Sequence, residues 1–133
     1  MSLTWPEGYR AAAAFTFNVD AESAVLWGAP HNADRMSVIS HQAYGPLVGV
    51  PRLLELLAKH EITSTFFVPG YTAHRYPATV RCIVDGGHEI GAHGYLHERL
   101  DTLSAEMEDY WFMRSLEALE KGTGMRPRGF RAP

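Results

Sequence analysis

The sequence predicts an α/β fold, on three observations. Short β-branched and aromatic runs alternate with longer stretches of helical period. Gly and Pro punctuate the junctions, as in Pro69-Gly70 and Gly86-Gly87. Polar, potentially ligating residues follow the strand-like runs, and parallel α/β folds place their sites at the carboxyl ends of strands.

Residues 11–19 (AAAAFTFNV) read as a buried strand. A polar loop containing Gly and His follows, from about Ala21 to Gly45. Structureless loops above about 12–15 residues are functional or disordered more often than not, so its length is informative. The stretch "GPLVGVPRLLELLAKHE" repeats apolar residues at Val50, Leu53, Leu54, Leu57 and Ala58, the spacing of a helix. "TSTFFVPG" (63–70) is a second strand, stopped by Pro69-Gly70. "PATVRCIVDGG" (77–87) suits a helix with Pro77 in its first turn and glycines at its end. "HEIGAH" (88–93) is a short third strand. Ser104 caps the next helix, with Glu106 and Glu108 where negative charge suits the helix dipole. The apolar stripe of that helix runs through Met107, Trp111, Leu116 and Leu119, and Gly122 and Gly124 break it. "RGFRAP" (128–133) reads as a fourth strand. Four β-units are too few to close an eight-unit barrel, which leaves an open α/β sheet or a part of a longer fold.

Composition narrows the function. The 133 residues make one domain, 46% hydrophobic and 20% charged, as in an ordinary globular protein. A net charge of −3 with no basic stripe argues against nucleic acid as a partner. No apolar run approaches the ~18 residues of a membrane span, and "AAAAFTF" is too short for a signal-peptide core. The single cysteine, Cys82, excludes an intramolecular disulfide framework and suits a reducing compartment, so a cytoplasmic location is expected. Met1-Ser2-Leu3 is compatible with a vector-derived start.

In "FTFNVDAES" (15–23), Asn18, Asp20 and Glu22 recur at every second position. Asn18 and Asp20 end the first strand, His93 ends the third and Arg131 ends the fourth, while His97 follows His93 in "GAHGYLHERL". Two imidazoles and a carboxylate form a three-ligand set for catalytic zinc with one position open to water. Gly91 and Gly94 flank His93, as suits a tight loop that aims two imidazoles at one point. The H-x-x-x-H spacing alone fits a solvated loop better than a metal site, and only Asp20 at another strand end brings the two readings level; Asn18 and Glu22 also suit a simple turn. His31, His41, His60 and His74 read as solvent-facing, and His88 as a structural hydrogen-bonding histidine. Trp5, Trp27 and Trp111 read as core or lid residues, and Cys82 as a packed thiol.

Taken together, "FNVDAE", "GHEIGAHGYLHE" and "GFRAP" resemble the first three motifs of the polysaccharide deacetylases, the NodB-homology group of carbohydrate esterases. The form D-x-D-A in the first motif is most similar to the peptidoglycan-deacetylase-like subgroup. The resemblance covers nearly the whole chain in the right order. It implies that the chain is the N-terminal part of a deformed (β/α)7-type barrel, about four β/α units of it. It also implies a divalent metal, usually zinc, and hydrolysis of an acetamido or related non-peptide C–N bond. Asp20, His93 and His97 match the metal ligands of the family, and Arg131 matches the position that tunes the catalytic base. That base falls on Asn18, whose neutral amide accepts no proton, so Glu22 becomes a candidate substitute. The later strands that carry the family's general-acid histidine have no counterpart in these residues.

The expected function is therefore metal-dependent hydrolysis of a small-molecule or N-acetylated sugar substrate, with catalytic candidates Asn18, Glu22 and Arg131. The alternatives are a cyclic-imide or small-amide hydrolase and a non-catalytic metal-binding module. A half-barrel exposes apolar edges, which predicts a homo-oligomer. No nucleic-acid or membrane partner is expected.

Overall fold

Three parallel strands, β1 (Thr16–Asn18), β2 (Thr65–Val68) and β3 (Glu89–Ala92), lie in the order β1-β2-β3 in a computed structural model that describes residues 4–133. Met1–Leu3, with the reading given to them above, lie outside the described residues. The register sets Asn18 beside Phe67, and Phe67 beside Gly91. Side chains of β2 alternate faces. Phe66 and Val68 are fully buried and anchor a core with Val80, Ile83, Leu116 and Leu119. Phe67 points to the other face, where its ring leaves Gly91 no room: a Cβ there would lie 2.6 Å from the ring.

Helices connect and cover the strands. They are α1 (Ser23–Leu26), α2 (Met36–Tyr44), α3 (Val50–Lys59), α4 (Gly70–Arg75), α5 (Pro77–Asp85) and α6 (Ala105–Thr123). No described helix is long and apolar enough to cross a membrane. Pro77 sits in the first turn of α5 as expected. The Ser104 side chain caps α6 by accepting the Met107 N–H at 3.3 Å, and Gly124, at φ +77°, ends it with an N–H to the Glu120 carbonyl.

Several expectations change. Only Thr16–Asn18 of the run 11–19 forms a strand, and residues 11–16 are exposed. Pairing with β2 limits the strand, because a strand needs backbone partners as well as composition. The segment 21–45 is no structureless loop: it holds α1, a 3₁₀ segment at Pro30–Asp34, and α2. None of the residues in α2 is buried, so no apolar stripe announces it. Between α2 and α3 the backbone widens into a π turn over Gly45–Gly49, closed by the Val50 N–H on the Gly45 carbonyl. Pro46, which has no N–H to give, lies within this wide turn, and Pro51 follows it. In α3, Val50 and Leu57 are buried, but Ala58 is exposed. Met107 is also exposed, because only the second half of α6, from Ser115 onward, packs closely against α4. Cys82 is exposed rather than packed. "RGFRAP" contributes one parallel bridge, Ala92 to Phe130, in place of a full strand.

Gly70 opens α4 where α4 and α6 press together. A Cβ on it would lie 2.6 Å from Tyr95 Cδ2 and 3.0 Å from the Ser115 Cα. Helix propensity favours Ala over Gly, but here backbone stands in the way. Gly70→Ala is expected to destabilise the protein by about 1–3 kcal/mol in thermal or urea unfolding.

Candidate metal centre

The β1 strand continues one residue past its end through the Val19 N–H, which donates to the Phe67 carbonyl at 2.9 Å. This delivers Asp20 to the top of the sheet. There its own carbonyl accepts from the Ser23 N–H, the Ser23 hydroxyl and the Thr72 hydroxyl, the last at 2.9 Å. Ala21 turns the chain with φ +51°. Thr72 is fully buried, and it ties β1 to α4 across 52 positions of sequence.

Two imidazoles meet the Asp20 carboxylate. His93 Nε2 lies 3.4 Å from Asp20 Oδ1, and His97 Nε2 lies 3.9 Å from Oδ2. One ligand atom from each of the three residues falls within 4.8 Å of the others. The two rings stand nearly perpendicular, with centroids 5.0 Å apart. His97 has φ +61°, a left-handed conformation that non-glycine residues adopt infrequently and that clusters at functional sites.

His93 is buried, and its Nδ1 donates to the Arg131 carbonyl at 2.8 Å. That bond fixes the tautomer of the neutral ring: the proton sits on Nδ1 and the lone pair on Nε2. Burial holds the His93 pKa below the ordinary imidazole range, against the opposing pull of the Arg131 carbonyl and Asp20. The Asn18 Nδ2 donates to His93 Nε2 at 3.1 Å, and the Asn18 Oδ1 accepts from Arg131 Nη1 at 2.6 Å. Arg131 also donates to the Thr16 hydroxyl, and its guanidinium lies 4.0 Å above the Phe67 ring.

The donor set fits a divalent cation. It comprises two nitrogens and a carboxylate, and Asp20 Oδ1 is buried with no hydrogen-bond partner. A buried, unpaired carboxylate oxygen is costly unless a cation or other partner satisfies it.

The structure thus brings Asn18, Asp20, His93, His97 and Arg131 together. Glu22 is not among them. It is fully buried, bonded to the Tyr76 hydroxyl and to Arg75 Nε at 3.2 Å. Carboxylate contact and burial together push the Tyr76 hydroxyl up to about 12, burial contributing most. His31, His41, His60 and His74 are exposed, and His88 Nδ1 accepts the Ser64 N–H. Sequence reasoning missed Thr72, Ser23 and Ser115, the last of which binds the Gly94 carbonyl at 2.6 Å. Only Ser23 left a local trace, three residues after Asp20.

The model of the polysaccharide deacetylase family matches residues 40–133. The chain belongs to that family. A peptidoglycan deacetylase of Helicobacter pylori is 36% identical to this deacetylase-family chain over 88% of its length, and the match covers 40% of the relative. A solved structure from Mycobacterium smegmatis, described as a polysaccharide deacetylase, shares 55% identity over 98% of this chain with a TM-score of 0.96. It too is only partly covered, to 46%. The structure of the PuuE allantoinase matches 95% of this chain and 47% of its own, at 28% identity and a TM-score of 0.82. The chain therefore spans less than half the length of these relatives. Its three parallel strands and bridged fourth segment are the N-terminal part of the deformed barrel expected of this family.

The His93 shift gives a sign for pH dependence. A folded-state pKa below the ordinary value of about 6.5 means that the unfolded chain binds the proton more readily. This contribution to stability is present above about pH 6.5 and lost as pH falls toward the depressed value. Unfolding midpoints of the metal-free protein followed from pH 7.5 to 5 should fall, and His93→Gln should flatten that decline.

Proposed function

We propose that this chain carries the metal-binding arc of a hydrolase of non-peptide C–N bonds, of the deacetylase type, acting on an N-acetylated sugar. The observation that carries the reading is the convergence of Asp20, His93 and His97 around a buried, unpaired Asp20 oxygen. A divalent ion, zinc in the first instance, would supply Lewis-acid polarisation of the amide carbonyl and a lowered pKa for the attacking water.

The protein's own groups prepare that chemistry. The Arg131 carbonyl keeps the proton of His93 on Nδ1 and the lone pair on Nε2, where a metal ion would take the place of the Asn18 N–H. The Arg131 guanidinium fixes which way the Asn18 amide points, with oxygen toward Arg131 and nitrogen toward His93. Asn18 orients a group beside the metal but takes no proton. An aspartate there would face the same guanidinium, which favours the ionised, base-competent carboxylate.

A second reading has specific support. Asn18 removes the family's base, and the matched allantoinase structure belongs to a protein named for hydrolysis of a different amide-like substrate. In this reading the protein hydrolyses a small cyclic imide or amide.

Acetate release from N-acetylglucosamine oligomers and ring opening of a cyclic imide, measured side by side with added zinc, distinguish the two. Asn18→Asp should raise sugar deacetylation by roughly 10²–10⁴-fold, the usual contribution of a positioned general base. Imide turnover by the wild type without sugar turnover supports the second reading. A zinc-loaded Asn18→Asp variant inert toward both substrates would establish a non-catalytic metal module. Glu22→Gln should leave turnover on either substrate within about twofold, because its carboxylate is engaged by Tyr76 and Arg75.

A further inference from the structure

We infer that Glu98 is a positioning residue for the metal centre: its buried carboxylate presets the loop that aims His93 and His97. This inference rests on the metal reading above.

Glu98 is fully buried, yet no cation pairs with it among the described salt bridges. Its partners are backbone donors of the loop itself. The Tyr95 N–H reaches both carboxylate oxygens, at 2.9 and 3.2 Å, and the Leu96 N–H reaches Oε1. A buried carboxylate is stable when such donors satisfy it. The two donors lie between two left-handed residues, Gly94 at φ +66° and His97 at φ +61°. The carboxylate therefore closes the turn between its two left-handed residues, of which only His97 is strained. His97 pays the cost of αL geometry without being a glycine, and a fixed anchor one residue later makes that conformation tenable.

The other side of the loop is pinned as well. The Gly94 carbonyl accepts from the Gly70 N–H and the Ser115 hydroxyl, and the Tyr95 carbonyl accepts from the Tyr71 N–H. The backbone carbonyls thus hold the loop to α4 and α6, while Glu98 holds the N–H groups. Gly94 suits the same carboxylate: a Cβ there would run into Glu98 Oε2. Glycine 94 and glutamate 98 are one device, and both lie in the six-residue stretch "HGYLHE" that carries the two histidines.

Glutamine is the informative replacement. It has nearly the same shape, but its amide offers one acceptor oxygen and brings two donors against the Tyr95 and Leu96 N–H groups. The test is Co(II) titration of the wild type, Glu98→Gln and Glu98→Asp, followed by the visible ligand-field spectrum, with thermal unfolding of each metal-free protein alongside. A folded Glu98→Gln variant should bind Co(II) roughly 10–100-fold more weakly, as is usual for loss of an outer-shell partner, with an altered band shape. Glu98→Asp, which keeps the carboxylate, should recover part of the affinity. Unchanged affinity and spectrum in folded Glu98→Gln would overturn the inference. A Glu98→Gln variant that fails to fold would also overturn it, since the role would then be in the fold and not in aiming the ligands. If the wild type binds no Co(II), the metal reading itself falls.

Discussion

A hydrogen bond of 2.8 Å from His93 Nδ1 to the Arg131 carbonyl joins the segments on which the cluster of Asp20, His93 and His97 is built. The bond exists because the segment after α6 lies against β3, with Ala92 N–H donating to the Gly129 carbonyl and Arg131 N–H to the Ala92 carbonyl. Once that pairing is made, the Arg131 carbonyl caps the His93 ring and the Arg131 side chain crosses Phe67 to reach Asn18 and Thr16 on β1. One short stretch of backbone therefore fixes a tautomer on β3 and an amide orientation on β1. The ligand geometry follows from sheet pairing rather than from any single strong contact.

Asn18 and Arg131 form the least ordinary part of the site. A guanidinium held against an aromatic face and two hydrogen bonds is positioned to favour a negative charge at residue 18. The amide found there is neutral, and its nitrogen donates to the Nε2 lone pair of His93. An ionised carboxylate at this position would meet the same guanidinium, whereas the amide found there accepts its hydrogen bond without charge. Metal binding at Asp20, His93 and His97 and proton transfer at residue 18 are therefore separate questions, and either can be tested without the other.

Sequence pattern made the sheet and the convergence of Asp20, His93 and His97 legible for different reasons. The β2 strand was readable because Phe66 and Val68 are core residues in a β-branched, aromatic run, and α6 because its cap and terminator are local chemistry. The cluster was readable because Asp20 and His93 follow strand ends, His97 lies four residues beyond His93, and the motifs resemble a known family. The helices between residues 23 and 44 were hidden, since they bury almost nothing and show no stripe. Thr72 and Ser115 were hidden because their hydroxyls act across 52 and 21 positions, a distance no local pattern encodes. Glu22 fits the alternation of "NVDAE", but after Ala21 at φ +51° the chain no longer follows strand geometry. Its carboxylate is accordingly carried to Arg75 and Tyr76, away from the Asp20 cluster.

The central claim is that Asp20, His93 and His97 together hold one divalent ion. An anomalous difference map at the zinc absorption edge, from crystals of the protein grown with zinc, tests it most directly. The expected result is a single peak bonded to the Asp20 carboxylate and to Nε2 of both histidines, with His93 Nδ1 still on the Arg131 carbonyl. No peak at that position while zinc sits at the exposed histidines, or a His93 bound through Nδ1, would contradict it.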